Sequence, residues 1–171
     1  MKNVADITFK NINLVTHSPG ILELKGKKSV YGQLEANVSL NQVKGFPSYS
    51  GAGGYKNKVG TIAGPFNYTG VNISSLLWLV GGMKDGDSVI VTASDGYSKT
   101  YSFNEITGNL ELFDNNGTSL GVGITTPMLA YSEEGNDITN GGPVKLVFVT
   151  MEGAISSSSY WIKEVVKIEV I

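Results

Sequence analysis

Ser88-Val-Ile-Val-Thr-Ala-Ser-Asp-Gly-Tyr-Ser-Lys-Thr-Tyr-Ser-Phe103 decides the fold class. Val89 and Val91 alternate with other positions in its first half, and Tyr97, Lys99, Tyr101 and Phe103 keep the second half β-prone. Asp95-Gly96 lies between them, the pair that a tight hairpin turn selects because its backbone enters the positive-φ region, where only glycine sits without steric cost. The spacing predicts an antiparallel hairpin and a sheet built around it.

On the N-terminal side, Asn72 stands before Ile73, Leu76, Leu77 and Val80, the spacing of a helical apolar face, and Gly81-Gly82 supplies the stop. Trp78 and Leu79 broaden that face and are expected in the core. The segment Lys84-Asp-Gly-Asp87 reads as a turn, without the oxygen-ligand spacing of a calcium loop. Residues 21–24 and 30–38 read as strands, and Ile7, Phe9, Ile12 and Leu14 as a β-prone opening. Ser39-Leu-Asn-Gln42 has the spacing of a capping box, closed after a turn or two by Gly45 and Pro47.

Residues 47–65 carry Gly51, Gly53, Gly54, Gly60 and Gly64 and no regular apolar period, so they read as loops or as an altered ligand-binding rim. No phosphate-loop or dinucleotide glycine fingerprint occurs there. Tyr49, Tyr55, Lys56 and Lys58 are the candidate contacts, rings to stack on a flat ligand and ammonium groups to attract an anionic one. Toward the C-terminus, Asn104 and Glu105 start a brief helical turn, and strands are expected at 110–113, 128–132, 144–150 and 165–170. Gly141-Gly-Pro143 places a turn before Val144, Leu146 and Phe148, which are expected to be buried, and Tyr160-Trp161 closes the core. The class is α+β, with β-rich mixed sheets and short helices. One domain over residues 1–171 fits the length.

Composition limits the chemistry. The chain has 171 residues, 16% of them charged, a net charge of -2, one histidine and no cysteine, and its 13 basic residues are all lysine. Disulfides, thiolate nucleophiles and Cys-ligated metals are excluded, as is the bidentate guanidinium grip on phosphate. The acidic balance argues against nucleic acid as a partner. Lys25, Lys27 and Lys28 lie among Glu23 and Glu35 and read as a solvated turn. Apolar runs are too short for a membrane helix and no signal peptide opens the chain, so the protein reads as soluble. Low charge with abundant Gly, Ser, Thr and Asn suits an exported or cell-surface domain, and Asn37, Asn67, Asn72 and Asn116 match the glycosylation pattern. His17-Ser18 does not constitute a triad, and Glu133-Glu134 reads as a solvated acidic turn. No catalytic residue or metal ligand is expected.

Several ordered segments carry a resemblance. Pro65-Phe-Asn-Tyr-Thr-Gly-Val71, Ser75-Leu-Leu-Trp-Leu79 and residues 87–97 are followed by Pro127-Met-Leu-Ala-Tyr131, Gly141-Gly-Pro-Val-Lys-Leu-Val147 and residues 160–170. Over residues 29–170 this set resembles the molybdopterin-binding domain of the sulfite oxidase family, as a divergent member. The resemblance implies a mixed α+β fold and, in catalytic members, molybdenum held by a pterin dithiolene and a protein cysteine. That cysteine would fall where this chain has Ser48-Tyr-Ser-Gly-Ala-Gly-Gly-Tyr55. Arginines and histidines of the family's phosphate and oxyanion sites are likewise missing. Hydroxyl groups do not replace a soft thiolate on molybdenum. The expectation is a noncatalytic extracytoplasmic binding or interaction module, with no cofactor and an unidentified small molecule or protein as partner. A retained cleft would take a flat ligand, with Tyr131 and Trp161 as further aromatic contacts. The alternative is a molybdopterin-dependent oxidoreductase with atypical metal coordination.

Overall fold

The computed structural model describes residues 21–171. The β-prone opening of Ile7, Phe9, Ile12 and Leu14 and the His17-Ser18 pair lie outside them.

The hairpin forms as its sequence demands. Strands β5 (Ser88–Ala93) and β6 (Ser98–Ser102), numbered in chain order like all strands here, pair antiparallel from Ser88↔Ser102 to Thr92↔Ser98. Gly96 takes φ 87°, and the Asp95 carboxylate accepts a hydrogen bond from the Tyr97 amide. This hairpin is one side of a five-stranded sheet. Its centre is β13 (Val165–Val170), antiparallel to β5 and parallel to β1 (Ile21–Lys25), and β2 (Glu35–Ser39) forms the far edge. The strand expected over 30–38 is confined to its second half, because Val30 and Tyr31 stand in a turn 94% and 98% exposed, where Ser29 and Gly32 bond each other.

Two short helices carry the caps written in the sequence. In α1 (Leu40–Lys44) the Ser39 hydroxyl accepts from the Gln42 amide and the Gln42 side chain accepts from the Ser39 amide. In α2 (Ile73–Leu77) the Asn72 side chain accepts from the Ser74 amide, and a 3-10 turn, Trp78–Val80, continues to Gly81 at φ 95°. Ile73, Leu76, Leu77 and Val80 are buried, each removing about 1.5–3 kcal/mol of side chain from water. Trp78 is not in the core: it is 76% exposed, and Leu79 is also exposed. At about 100° per residue these two positions fall on the side of the helix away from Ile73, Leu76, Leu77 and Val80, so they face solvent.

The second sheet corrects the reading of residues 47–65, most of which form two long strands. β3 (Tyr49–Lys56) pairs antiparallel with β4 (Ile62–Asn72), and the glycines serve close approach between strands. A Cβ on Gly53 would lie 2.4 Å from the Phe148 carbonyl oxygen, and one on Gly70 2.3 Å from that of Leu129. After α3 (Phe103–Ile106), capped by Ser102 and Glu105, come β7 (Asn109–Phe113), β8 (Ser119–Ile124), β9 (Thr126–Glu133) and β10 (Asn136–Asp137), then β11 (Lys145–Val149) and β12 (Ala154–Ser157). The sheet order is β10-β9-β4-β3-β12-β7-β8, with β11 on β9. An Ala52↔Thr150 bridge curls the sheet back on itself.

All five residues of β11 are buried. Leu146 and Phe148 enter the main core, shared with α2 and the five-stranded sheet, whereas Val147 and Val149 enter a smaller core with Tyr68, Met128 and Ala130. The alternation comes from the period of two along a strand with apolar surroundings on both faces.

The 84–87 turn holds the fold at its edge. Asp87, 5% exposed, accepts from Lys27 Nζ at 2.5 Å and from the Lys84 amide at 2.8 Å. The bond from Lys27 leads the effects that hold its pKa below the ordinary 3.8, against the opposing effect of burial. A carboxylate with a depressed folded pKa contributes stability above its ordinary pKa and loses it as pH falls toward the folded value. The urea midpoint is therefore expected to hold from pH 7 to 5 and to drop below about pH 4, where unfolded carboxylates take up protons first. Asp87→Asn should lower the plateau and shrink the drop; an undiminished drop would remove Asp87 as its source.

Candidate functional site

A cleft of about 480 Å³ opens on the smaller core. It is built by neighbouring strands: β3 supplies Tyr55, β4 supplies Phe66 and Tyr68, β9 supplies Glu133 and β11 supplies Lys145. The 3-10 turn Ser158–Tyr160, capped by the Ser157 hydroxyl, delivers Trp161 into it. The Trp161 ring centroid lies 5.4 Å from Tyr55 and 5.6 Å from Tyr68, edge-on to the latter. Its indole Nε1 donates to Ser156 Oγ at 2.9 Å, so the ring is fixed by two neighbours and a hydrogen bond.

One wall is charged. Lys145 Nζ lies 2.6 Å from Glu133 Oε2, and the Tyr68 hydroxyl donates to Glu133 Oε1 at 3.3 Å. Burial, then the Glu133 charge, pushes the Tyr68 pKa upward, so the phenol remains a donor throughout the neutral range. The two charges of the wall cancel, and Lys163, on the rim, forms no ion pair among the described residues. The cleft thus offers aromatic surface, one neutralised ion pair and one free ammonium. It suits stacking and hydrogen bonding. Glu133 is the sole carboxylate of its lining and is engaged by Lys145.

Of the six expected contact residues, Tyr55 and Trp161 meet here. Tyr49 packs half-buried against the smaller core. Lys56, one residue beyond Tyr55, points to the opposite face of β3, where its ammonium lies 4.4 Å from the Phe113 ring centroid and donates to the Gly117 carbonyl at 2.7 Å. Lys58 is exposed in the turn after β3. Tyr131 packs against the main core, on the other face of β9 from Met128 and Ala130, with the Lys44 ammonium 5.5 Å from its ring centroid.

Sequence reasoning missed Tyr68, Glu133, Lys145 and Lys163. Glu133 and Glu134 do not act as one solvated turn: Glu134, at φ 51°, accepts from the Asn67 amide, whereas Glu133 is partly buried in its pair with Lys145. The signal that would have found the pair is the strand register, which sets Lys145 opposite Ala130 and brings it within reach of Glu133.

No protein-family model matches the chain, and no curated protein matches its sequence. Among solved structures the chain is similar to the sulfane dehydrogenase SoxCD from Paracoccus pantotrophus, with a TM-score of 0.63 and 14% identity over 88% of this chain. The likeness is one of fold. The match spans 38% of that chain's length. The architecture is accordingly mixed α+β with short helices, similar to the sulfite-oxidase-like molybdopterin-binding fold.

The chain lacks the thiolate and guanidinium groups that the resemblance implies for that cofactor. Where the resemblance places a thiolate, β3 presents Ser50, whose hydroxyl is 2.9 Å from that of Thr69, and glycines packed on β11. Among the described residues no cluster of three His, Cys, Asp or Glu side chains occurs. A phosphate entering the cleft would meet Glu133 together with the Lys145 and Lys163 ammonium groups, and would find no guanidinium, since the sequence has no arginine. No reaction step is assigned through it.

Proposed function

We propose that the protein is a noncatalytic binding module that uses a sulfite-oxidase-like scaffold to present an aromatic cleft to a flat, polar small molecule. The observation that carries this reading is Trp161, wedged between Tyr55 and Tyr68 beside the Lys145–Glu133 pair. A ring system stacks on this surface while its edge bonds the wall, a combination of apolar area and few polar groups common to small-molecule sites. Low charge and the Gly, Ser, Thr and Asn content support placement outside the cytoplasm or at the cell surface.

Titration of a panel of flat heterocycles, with neopterin and adenosine as first probes, should quench Trp161 fluorescence. Trp161→Ala is expected to weaken the best binder about 10- to 100-fold, the scale of one lost stacking partner, with Trp78 as the silent internal control. Equal affinity in the variant would sink the cleft assignment. Metal and pterin analysis of protein from its native host tests the alternative: stoichiometric molybdenum would establish an oxidoreductase with atypical coordination and overturn the noncatalytic reading.

A further inference from the structure

A second concavity lies on the other side of the segments 141–144 and 163–165, between the five-stranded sheet and α1. It is an apolar groove of about 210 Å³ whose floor is Leu22, Val38, Val43, Val144 and Val165, all buried. At its mouth stands Glu164, the one charged residue of its lining, beside Ser94. We propose that this groove is a binding site for a small aliphatic ammonium ion, with the alkyl chain on the valine and leucine floor and the cationic head on the Glu164 carboxylate.

Three observations converge. Glu164 occupies φ 52°, the left-handed region, which a glycine would hold without strain and a branched Cβ resists. The strain is held in place from both sides: the Glu164 amide donates to the Gly141 carbonyl at 2.7 Å, and its carbonyl accepts from the Ser94 amide at 2.9 Å. A conformation suited to glycine therefore fixes a carboxylate at a groove mouth.

The carboxylate is also positioned and unspent. Ser94 Oγ donates to it, yet Glu164 forms no ion pair among the described residues. The neighbouring Lys163 side chain instead lies beside Gly141 and lines the aromatic cleft. Charge complementarity thus selects a cation, and an anion would meet repulsion with no compensating base in the lining.

Size completes the assignment. At about 30 Å³ per water-sized group, the groove holds about seven such groups, a chain of six or seven carbons. The site is independent of the aromatic cleft, so either assignment can fail alone.

The test is amide chemical-shift titration of the intact chain with n-hexylammonium, n-hexanol and hexanoate. Hexylammonium should saturate shifts at Leu22, Val38, Val43 and Val165 and bind about fivefold more tightly than hexanol, the upper end for an exposed ion pair, with hexanoate weakest. Glu164→Gln should abolish the difference between ammonium and alcohol while hexanol still binds. Glu164→Gly should do the same with no fall in melting temperature, because it removes strain along with the charge. Hexanol binding as tightly as hexylammonium in the parent chain overturns the role of Glu164. Absence of saturable shifts with all three probes, or shifts centred on Trp161, overturns the groove.

Discussion

Phe148→Ala is expected to cost about 3–5 kcal/mol, a large part of the roughly 5–15 kcal/mol that stabilises an ordinary domain. Phe148 is fully buried on β11, its ring centroid 6.2 Å from that of Tyr101 and 6.0 Å from that of Tyr160. The Tyr101 hydroxyl donates to the Tyr160 carbonyl at 2.6 Å, so the ring is enclosed by groups that are themselves tied together. Such a site collapses poorly, and the residual cavity adds to the lost transfer energy. Urea unfolding followed by far-ultraviolet circular dichroism measures the loss. A cost below about 1 kcal/mol would mean that the neighbouring rings refill the space.

Gly53→Ala is the second large effect, and its cause is contact with backbone. The new methyl would meet the Phe148 carbonyl oxygen at 2.4 Å and Val149 Cγ1 at 3.1 Å. Neither β3 nor β11 can retreat without breaking the Ala52↔Thr150 bridge or the pairing of β3 with β4 and β12. The expected cost is about 3 kcal/mol, at the upper end for an overpacked core. Gly60→Ala is the matched control. Gly60 has φ 92° and open space around its Cβ position, so only backbone strain of about 1–2 kcal/mol is expected there. If Gly60→Ala proved the more harmful, positive φ would outweigh packing as the reason for glycines in this stretch.

These glycines mark where the sequence was legible and where it was not. The Asp95-Gly96 hairpin, the Ser39 capping box and the Asn72 cap rest on interactions within a few residues, and each appears as expected, as does the final strand over 165–170, whose partners are distant but whose own residues are β-prone. Gly51, Gly53 and Gly54 suggest turns by local propensity, yet they form a strand because another backbone passes close by. For Gly51 and Gly53 that reason lies about a hundred residues away, in residues 148–150, and for Gly54 it lies in Ala63 and Gly64 of β4. The cleft divides similarly. Tyr55 and Trp161 stand out as aromatics, whereas Glu133 and Lys145 become a pair only through the β9–β11 register. Trp78 was legible from periodicity alone: it falls about 140° round the helix from Ile73, opposite the apolar stripe, and its size and apolarity masked that position.

The central position of β13 in the five-stranded sheet also constrains the order of events during synthesis. β1 and β2 on one side, and β5 and β6 on the other, each pair within their own hairpin, but they meet only through residues 165–170. At roughly 5–20 residues per second, the 139 residues between β1 and β13 take roughly 7–28 s to translate. Throughout that interval the inner edge of β1 lacks its partner, and so does that of β5 once residues 88–102 have been made. A nascent chain stalled before residue 165 should therefore be degraded by protease and held by chaperones, and release of the last strand should confer protection in a single step.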